Sequence, residues 1–551
     1  MWKCGSSLKR LGLRPVTICS NRQKASAISH VLRSDIPQIY HHIRDQNRSN
    51  IQRLKIKYDA LLHRAMMGGG KKGIENHVKR NKKLLIRDRI RLLLDENEPT
   101  LELSALAGLD LEYGDVPCAG VVTMIGKVNG IWCMIVANDA TIKGGTIFPI
   151  TLKKQLRAQE IAKENRLPTI YLVDSGGGFL PLQAQIFNEG GKCFYNEAVM
   201  SAAAIPQAAI VCGSCTAGGA YVPAMAEESV ILHKTGTIFL GGPPLVFAAT
   251  GERITSEELG GATLHCKVSG CTDHFAQTEE DAIITMRDIV ATMNQQEEIN
   301  EDTYEEPLCD VSLLNDLAPC KMNGYQLDGR HMLACVLDGS RFHEFKKYYG
   351  PTLITGFGLV KGKLAGFAVS NGRITESTAL KGSHFTQLCS QRKIPMVFLQ
   401  NFSQDSTHPP VHTLEQSSKL IKAQCQLMQA IACSTSPSIT ITTGGICGSL
   451  ESHSLGSLAM GSRFHFVYPN VRVGGYSPEY MADTMQNTKD KQHDYLEQFM
   501  TETDSFHAAA RIRNDGVILP FDTRDIINKC LRIFKQNNEI SVTDLQKTLR
   551  M

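Results

Sequence analysis

The chain runs twice through the same succession of short apolar runs and glycine turns. Val128-Asn129-Gly130-Ile131 is matched by Val360-Lys361-Gly362-Lys363. Pro168-Thr169-Ile170-Tyr171-Leu172-Val173 is matched by Pro395-Met396-Val397-Phe398-Leu399-Gln400, and Gly218 by Gly448. The three offsets are 232, 227 and 230 positions, and a near-constant offset over separate landmarks marks a duplicated unit. Within each copy the runs are rich in Val and Ile, end in glycine turns and lead into helical stretches. That pattern predicts the α/β class, with strands and helices in layers. A chain of 551 residues also exceeds what one hydrophobic core supports, so two cores are expected.

The boundaries follow from composition. Between Gln296 and Asp310 lie seven acidic residues and Pro307 with no basic residue, which reads as a solvated linker. The expected division is a first domain over 76–300, an acidic linker over 301–318 and a second domain over 319–551. Residues 35–75 read as a basic helical segment ending in Met66-Met67-Gly68-Gly69-Gly70, a flexible stop after which the folded body begins.

Composition also bounds the partners. With 42% hydrophobic and 21% charged residues, no run approaches the roughly 20 apolar residues of a membrane span. The formal net charge is +4, yet the first 34 residues alone hold Lys3, Lys9, Arg10, Arg14, Arg22, Lys24 and Arg33 without an acid. Such a segment reads as a mitochondrial transit peptide over 1–34, or as a plain basic tail. The remainder is close to neutral and gives no reason to expect nucleic acid. The 17 cysteines sit mostly inside apolar runs and read as buried thiols. Cys212-Gly213-Ser214-Cys215 has no second pair at zinc-like spacing, so no metal site is expected.

The glycine turns carry the chemistry. Ala208 to Cys212 reads as a buried strand and Tyr221 to Ala226 as a helix start, with Gly218 and Gly219 at the junction. Unpaired amides at a helix start stabilise an oxygen that becomes negative, and glycine admits a ligand close to the backbone. An enolate oxygen held there gains stabilisation, one such donor being worth about 3 kcal/mol of barrier. Asp174-Ser175-Gly176-Gly177-Gly178 follows the preceding strand and closes the pocket from the other side. Lys143-Gly144-Gly145 supplies a lysine in a bend, read either as a contact to a phosphate or as a solvated loop lysine. Neither a dinucleotide fingerprint nor a nucleotide P-loop is present.

These segments together resemble the methylcrotonyl-CoA carboxylase β subunits of the biotin-dependent acyl-CoA carboxyltransferase family. The resemblance runs from about Arg64 to Met551 and is most specific over Ile135 to Thr141, Tyr171 to Gly177, Gly213 to Met225 and Phe239 to Leu245. It implies two crotonase-like domains, each a layered β-sheet with flanking helices. It also implies carboxyl transfer from carboxybiotin to 3-methylcrotonyl-CoA, a step of leucine degradation in the mitochondrial matrix. Biotin arrives on a separate biotin carboxylase α subunit, and the β subunits self-associate as dimers or trimers of dimers. In this mechanism the freed ureido nitrogen takes the substrate proton, so no metal and no protein acid–base pair is required. The implied acyl-side oxyanion donors are Gly218 and Gly219, and the biotin-side pair is Gly448 and Ser449. Lys143, Gly144, Gly176, Gly177, Arg341 and Phe342 are implied as acyl-CoA contacts.

The second copy departs more from the family pattern than the first. Asn401 to Pro410 stands where the family has a glycine-bearing Asn-Ile-Thr-Gly-Phe-Met-Val-Gly loop. Leu450 and Glu451 follow Ser449 where the family has small residues. In the first copy a family arginine is Leu182 and a family lysine is Phe247. Two readings follow: an active carboxyltransferase, and a diverged paralogue that binds acyl-CoA or assembles with carboxylase subunits without transferring CO2.

Overall fold

The computed structural model describes residues 30–32, 41–293, 304–319, 328–402, 414–448, 450–484 and 492–536. Nearly all of the 1–34 segment, Ser449 and most of the loop after Asn401 lie outside them.

Each copy begins as a β-hairpin. β2 (Val121–Val128) and β3 (Ile131–Asn138) pair antiparallel through Asn129-Gly130. β10 (Leu353–Val360) and β11 (Lys363–Ser370) pair the same way through Lys361-Gly362. Both central residues of each turn have positive φ, 46° and 81° in the first and 45° and 77° in the second. This is the two-residue turn that suits strand twist.

The hairpins share a second feature. Asp95 accepts the amides of Asn129 and Gly130 at 2.9 and 2.8 Å, and Asp338 accepts those of Lys361 and Gly362 at 2.8 and 2.7 Å. Each carboxylate also takes an arginine from a later helix of its own copy: Arg287 at 2.8 Å and Arg524 at 2.7 Å. Burial raises the Asp95 carboxyl, but the Gly130 amide, Arg287 and the Asn129 amide together hold it below its ordinary value. The duplication therefore extends from the backbone to a carboxylate clamp on each hairpin. Asp338 belongs to this clamp rather than to a ligand surface.

From the hairpins the sheets continue in parallel. β4 (Thr169–Ser175), β5 (Gln207–Thr216), β6 (Glu228–Leu232) and β8 (His274–Ala276) extend the first. Its order is β1-β2-β3-β4-β5-β6-β8, with β1 at Leu101–Leu103 and β7 (Thr237–Phe239) paired to the end of β5. The second sheet has the order β17-β15-β13-β12-β11-β10-β9. There β9 is His343–Phe345, β12 Met396–Asn401, β13 Ser438–Gly444, β15 Phe464–Val467 and β17 Gly516–Val517. A small sheet pairs β14 (Ile446–Cys447) with β16 (Arg472–Val473). β3, β4, β12 and β13 are buried along almost their whole length, as parallel strands covered on both faces must be.

The two expected cores are joined by a third cluster. Each sheet has an apolar cluster of its own, but a larger one runs across both, from Trp132, Met134 and Tyr171 to Phe464, Phe466 and Phe534. The start of the body is corrected. Helix His41–Met66 packs Ile51, Tyr58, Leu62 and Ala65 into the shared cluster. Among the glycines after it, Gly69 gives clearance rather than flexibility: its amide donates to Thr141 Oγ1 at 2.9 Å, and a Cβ there would collide with the Thr141 carbonyl. The described acidic residues of the 296–310 stretch, Glu305, Glu306 and Asp310, are exposed, yet the segment is tied to the body. Glu305 pairs with Arg341 at 3.0 Å, Glu306 with Arg524 at 2.5 Å, and buried Asp316 accepts Arg44 and Arg48.

Because Asp338 is nearly buried, removing it leaves two amides without their acceptor and Arg524 with only the exposed Glu306 as counter-charge. Asp338→Ala should cost about 3 to 5 kcal/mol in a urea unfolding curve. Asp95→Ala, at the more exposed equivalent position, should cost less.

Candidate active site

Three segments far apart in sequence converge at the end of β4 and β5. The Gly176 amide donates to the Gly144 carbonyl at 3.1 Å, Ile147 N to Gly177 O at 2.9 Å and Phe179 N to Ile147 O at 2.9 Å, closing a short parallel bridge between Ile147 and Gly178. A Cβ on Gly177 would touch Thr216 O at 3.4 Å, and one on Gly219 would touch Ser175 Cβ and Oγ at 3.2 Å. Gly144, Gly176, Gly177, Gly218 and Gly219 thus form one cradle of nearly bare backbone.

The cradle exists because β5 is bulged. Val173 pairs with Val211, but two residues further along β4 Ser175 pairs with Cys215, so β5 spends extra residues before the turn. Gly213 lies in that bulge, where a Cβ would collide with the Asp174 carboxylate. Asp174 is in turn held by Lys83 at 2.8 Å and lies 3.8 Å from Arg89. These two basic residues, from the segment before the first sheet, brace the site and were missed by the sequence reading.

Beyond the bulge, Ala217 sits at φ 51° and opens a 3-10 turn, Ala217–Ala220, followed by a helix of only five residues, Tyr221–Met225. A helix so short has little macrodipole, so any anion binding rests on the local amides. In an i→i+3 turn the bonded amides begin with Gly219, which leaves those of Ala217 and Gly218 ahead of the bonded series. Phe194 closes one wall, 3.7 Å from the position of a Gly218 Cβ and edge-on to Tyr221 at 5.2 Å. β7 runs alongside the end of β5, and after it come Leu240 and, on the helix Pro243–Thr250, Leu245 and Phe247, all with exposed side chains.

Lys143 lies exposed in the bend, its Nζ 5.1 Å from the ring centres of both Phe148 and Phe179. The lysine is therefore held over aromatic faces at the mouth of the cradle. Arg341 and Phe342 do not join this group. Arg341 pairs with Glu305, while the Phe342 ring is fully buried and its amide donates to His30 O at 2.9 Å. Phe342 packs the core and presents no side-chain surface to a ligand.

The second copy builds a corresponding turn. β13 slips register against β12 between Gln400 and Asn401, then turns at Gly445 and again at Gly448, whose φ is 102°. The Gly448 amide is already engaged, donating to Ser452 Oγ at 2.8 Å, and Gly474 N donates to Cys447 O at 2.8 Å. A buried polar chain supports this turn. His465 Nε2 meets Thr442 Oγ1 at 3.2 Å, Thr442 donates to Gln400 Oε1 at 3.0 Å, and Gln400 Nε2 donates to the carbonyls of Ser452, at 2.8 Å, and Gly456. No spacing in the sequence announces this chain, since it joins β12, β13 and β15.

Residues 77–548 match the carboxyl transferase domain family. The probable mitochondrial methylcrotonoyl-CoA carboxylase beta chain of Drosophila melanogaster is 44% identical over 512 residues, covering 86% of this chain and 87% of that one. The mitochondrial methylcrotonoyl-CoA carboxylase beta chain of Arabidopsis thaliana is 43% identical over 498 residues, covering 85% and 84%. Among solved structures, the beta subunit of P. aeruginosa geranyl-CoA carboxylase matches with a TM-score of 0.83 at 30% identity, covering 94% of this chain and 99% of that one. Two layered sheets, each leading into a bare glycine turn, define a crotonase-like carboxyltransferase. The chain belongs to the carboxyl transferase family, and it resembles the methylcrotonoyl-CoA carboxylase beta chains over most of its length.

Two expectations attach to the second turn. Burial, with Arg157 adding to it and Asp515 opposing, pushes the His465 ring down to about 4, and its Nδ1 has no partner. The unfolded chain binds this proton near 6.5, so the stability His465 contributes is complete above that pH and is lost as pH falls toward 4. The loss should reach on the order of 3 kcal/mol, and His465→Gln should flatten that limb of a stability–pH curve. Ser452→Ala should cost about 1 kcal/mol and accelerate amide exchange in the peptide spanning Gly448, followed by mass spectrometry.

Proposed function

We propose that this chain is the carboxyltransferase subunit of an acyl-CoA carboxylase of the mitochondrial matrix, carboxylating 3-methylcrotonyl-CoA with biotin carried by a separate biotin carboxylase α subunit. The observation that carries the reading is the cradle, where backbone from three separate segments stands bare around the Gly218 amide. A thioester carbonyl seated there directs the negative charge of its enolate at that amide, and Gly219 keeps the approach clear. Lys143, at the mouth, meets the phosphates of CoA, while Gly144, Gly176 and Gly177 form the floor. The apolar rim of Phe194, Tyr221 and Leu245 suits a short branched acyl group.

The second turn suits the ureido group of biotin. Gly448 packs its bare Cα against the Gly474 carbonyl, 3.2 Å from the position of a Cβ, whereas a Cβ on Gly475 would meet nothing within 4 Å. The Gly448 amide is held by a hydroxyl, an acceptor that a rotation can withdraw, and Ser449 follows it in the chain. Carboxybiotin supplies the activated carboxyl group when it is bound. The chain's own part is to hold the enolate oxygen, exclude water and orient the two reactants. Self-association as a dimer or trimer of dimers brings the first copy of one subunit to the second copy of another. Binding without transfer is not favoured, because the family match runs through both copies.

The test is turnover of 3-methylcrotonyl-CoA by the purified complex with its biotin-bearing subunit. Gly219→Val, which places methyl groups against Ser175 and so displaces the neighbouring Gly218 amide, should reduce kcat/KM for the acyl-CoA about 100-fold, the value of one oxyanion donor, with assembly intact. Unchanged kinetics would overturn the role given to this turn.

A further inference from the structure

Outside the cradle, a buried lysine and a buried cysteine meet in the interior, the thiol also lying 3.7 Å from Glu102 Oε1 and from Val121 O. Lys154, on the helix Pro149–Asn165, is 1% exposed, and Cys118, in the turn entering β2, is 3% exposed. The Lys154 Nζ lies 3.0 Å from Cys118 Sγ and 3.1 Å from Cys118 O. A buried lysine ordinarily requires a carboxylate, yet Lys154 makes no ion pair with one among the described residues. The nearby acid, Glu102, is committed to Arg87 through two bonds of 2.8 Å. The thiol is therefore the side-chain partner of this amine.

The backbone fixes the pair. Cys118 and Ala119 both have positive φ, 51° and 57°, a conformation that side chains other than Gly adopt at a cost. Thr151, one turn before Lys154 on the same helix, donates to Ala119 O at 2.6 Å. Turn and helix are thus docked at two points, and the sulfur and nitrogen are held at a separation that one intervening atom can span. Burial pushes the Cys118 thiol up and the Lys154 ammonium offsets part of that shift.

We propose that Cys118 and Lys154 are a redox modification site, at which hydrogen peroxide joins the two side chains through a single oxygen as Cys-S–O–N-Lys. One thiol, one primary amine and two peroxide molecules give the bridge and three waters. The S–H bond and one N–H bond break, and S–O and O–N bonds form. Sulfur and nitrogen each lose two electrons, and the two peroxides take up the four. The bridge ties the turn entering β2 to the helix that follows the Lys143–Phe148 bend, and so stiffens the support of the acyl-side cradle under oxidising conditions. Thiols release it: attack on sulfur gives a mixed disulfide and leaves the lysine nitrogen as its hydroxylamine, a second thiol frees Cys118, and two more thiols supply the two electrons that return the hydroxylamine to the amine with loss of water.

The test treats the purified full-length chain with hydrogen peroxide and maps its peptides without reduction. The expected product is a linked pair of peptides containing Cys118 and Lys154, heavier than their sum by one oxygen and lighter by two hydrogens, and released by dithiothreitol. Lys154→Arg and Cys118→Ala should each abolish the link, as should urea applied before peroxide. Exposed Cys425 and Cys433 report that the oxidant reached the protein. Oxidation of those two with Cys118 untouched, Cys118 stopping at a sulfenic or sulfinic acid beside intact Lys154, or equal linking in unfolded chain would each overturn the proposal.

Discussion

The arrangement of the two sheets depends on a buried ion pair between copies. Arg157, on a helix of the first copy, donates through Nε and Nη2 to both oxygens of Asp515 in the second at 2.8 and 2.9 Å, while Nη2 also donates to the Arg463 carbonyl and Nη1 reaches Glu160. Asp515 also accepts the amide of His465, and its own carbonyl accepts the amide of Ser104. Removing either partner would strand a charge between apolar layers, a loss of about 3 to 5 kcal/mol. The same carboxylate positions β15, so the shared core, the polar chain under Gly448 and the orientation of the sheets have a common anchor. Duplicated halves that could have remained separate units are thereby made one body.

Within each half the chemistry is prepared by a defect in strand pairing. Register slips after Val173 in β4 and after Gln400 in β12, and in both cases the longer partner strand carries its glycine turn past the sheet edge. A regular ladder would have bonded these amides to a neighbour. The two turns then differ. Ahead of the bonded 3-10 series, the first leaves amides to be taken by a ligand, whereas the second rests its Gly448 amide on Ser452. The two copies thus present similar glycine turns whose amides have different partners.

Legibility in the sequence followed the range of the interaction. The hairpins were readable because Asn129-Gly130 and Lys361-Gly362 encode their own turns. Their clamps were not, since Asp95 lies 34 residues before Asn129 and Asp338 23 before Lys361. Arg341 and Phe342, read together as acyl-CoA contacts, separate in space into a surface pair and a core ring, and Asp338 just before them serves the hairpin clamp. The glycines at 68–70 looked flexible because an absent side chain reads the same whether it permits motion or close packing. Only the approach of Thr141 distinguishes the two.

The sequence by itself determined the α/β class, the duplication and the glycine turns, because strand periodicity and turn conformation are properties of a few adjacent residues. It also carried the family, through segments long enough to be specific. Tertiary structure decided which amides are engaged, which charged residues brace the site and where the cores lie. Lys83 with Asp174, Arg157 with Asp515 and Lys154 with Cys118 are joined across 91, 358 and 36 residues. Pairings at such separations arise only when packing has already brought the backbone together, so no local pattern records them.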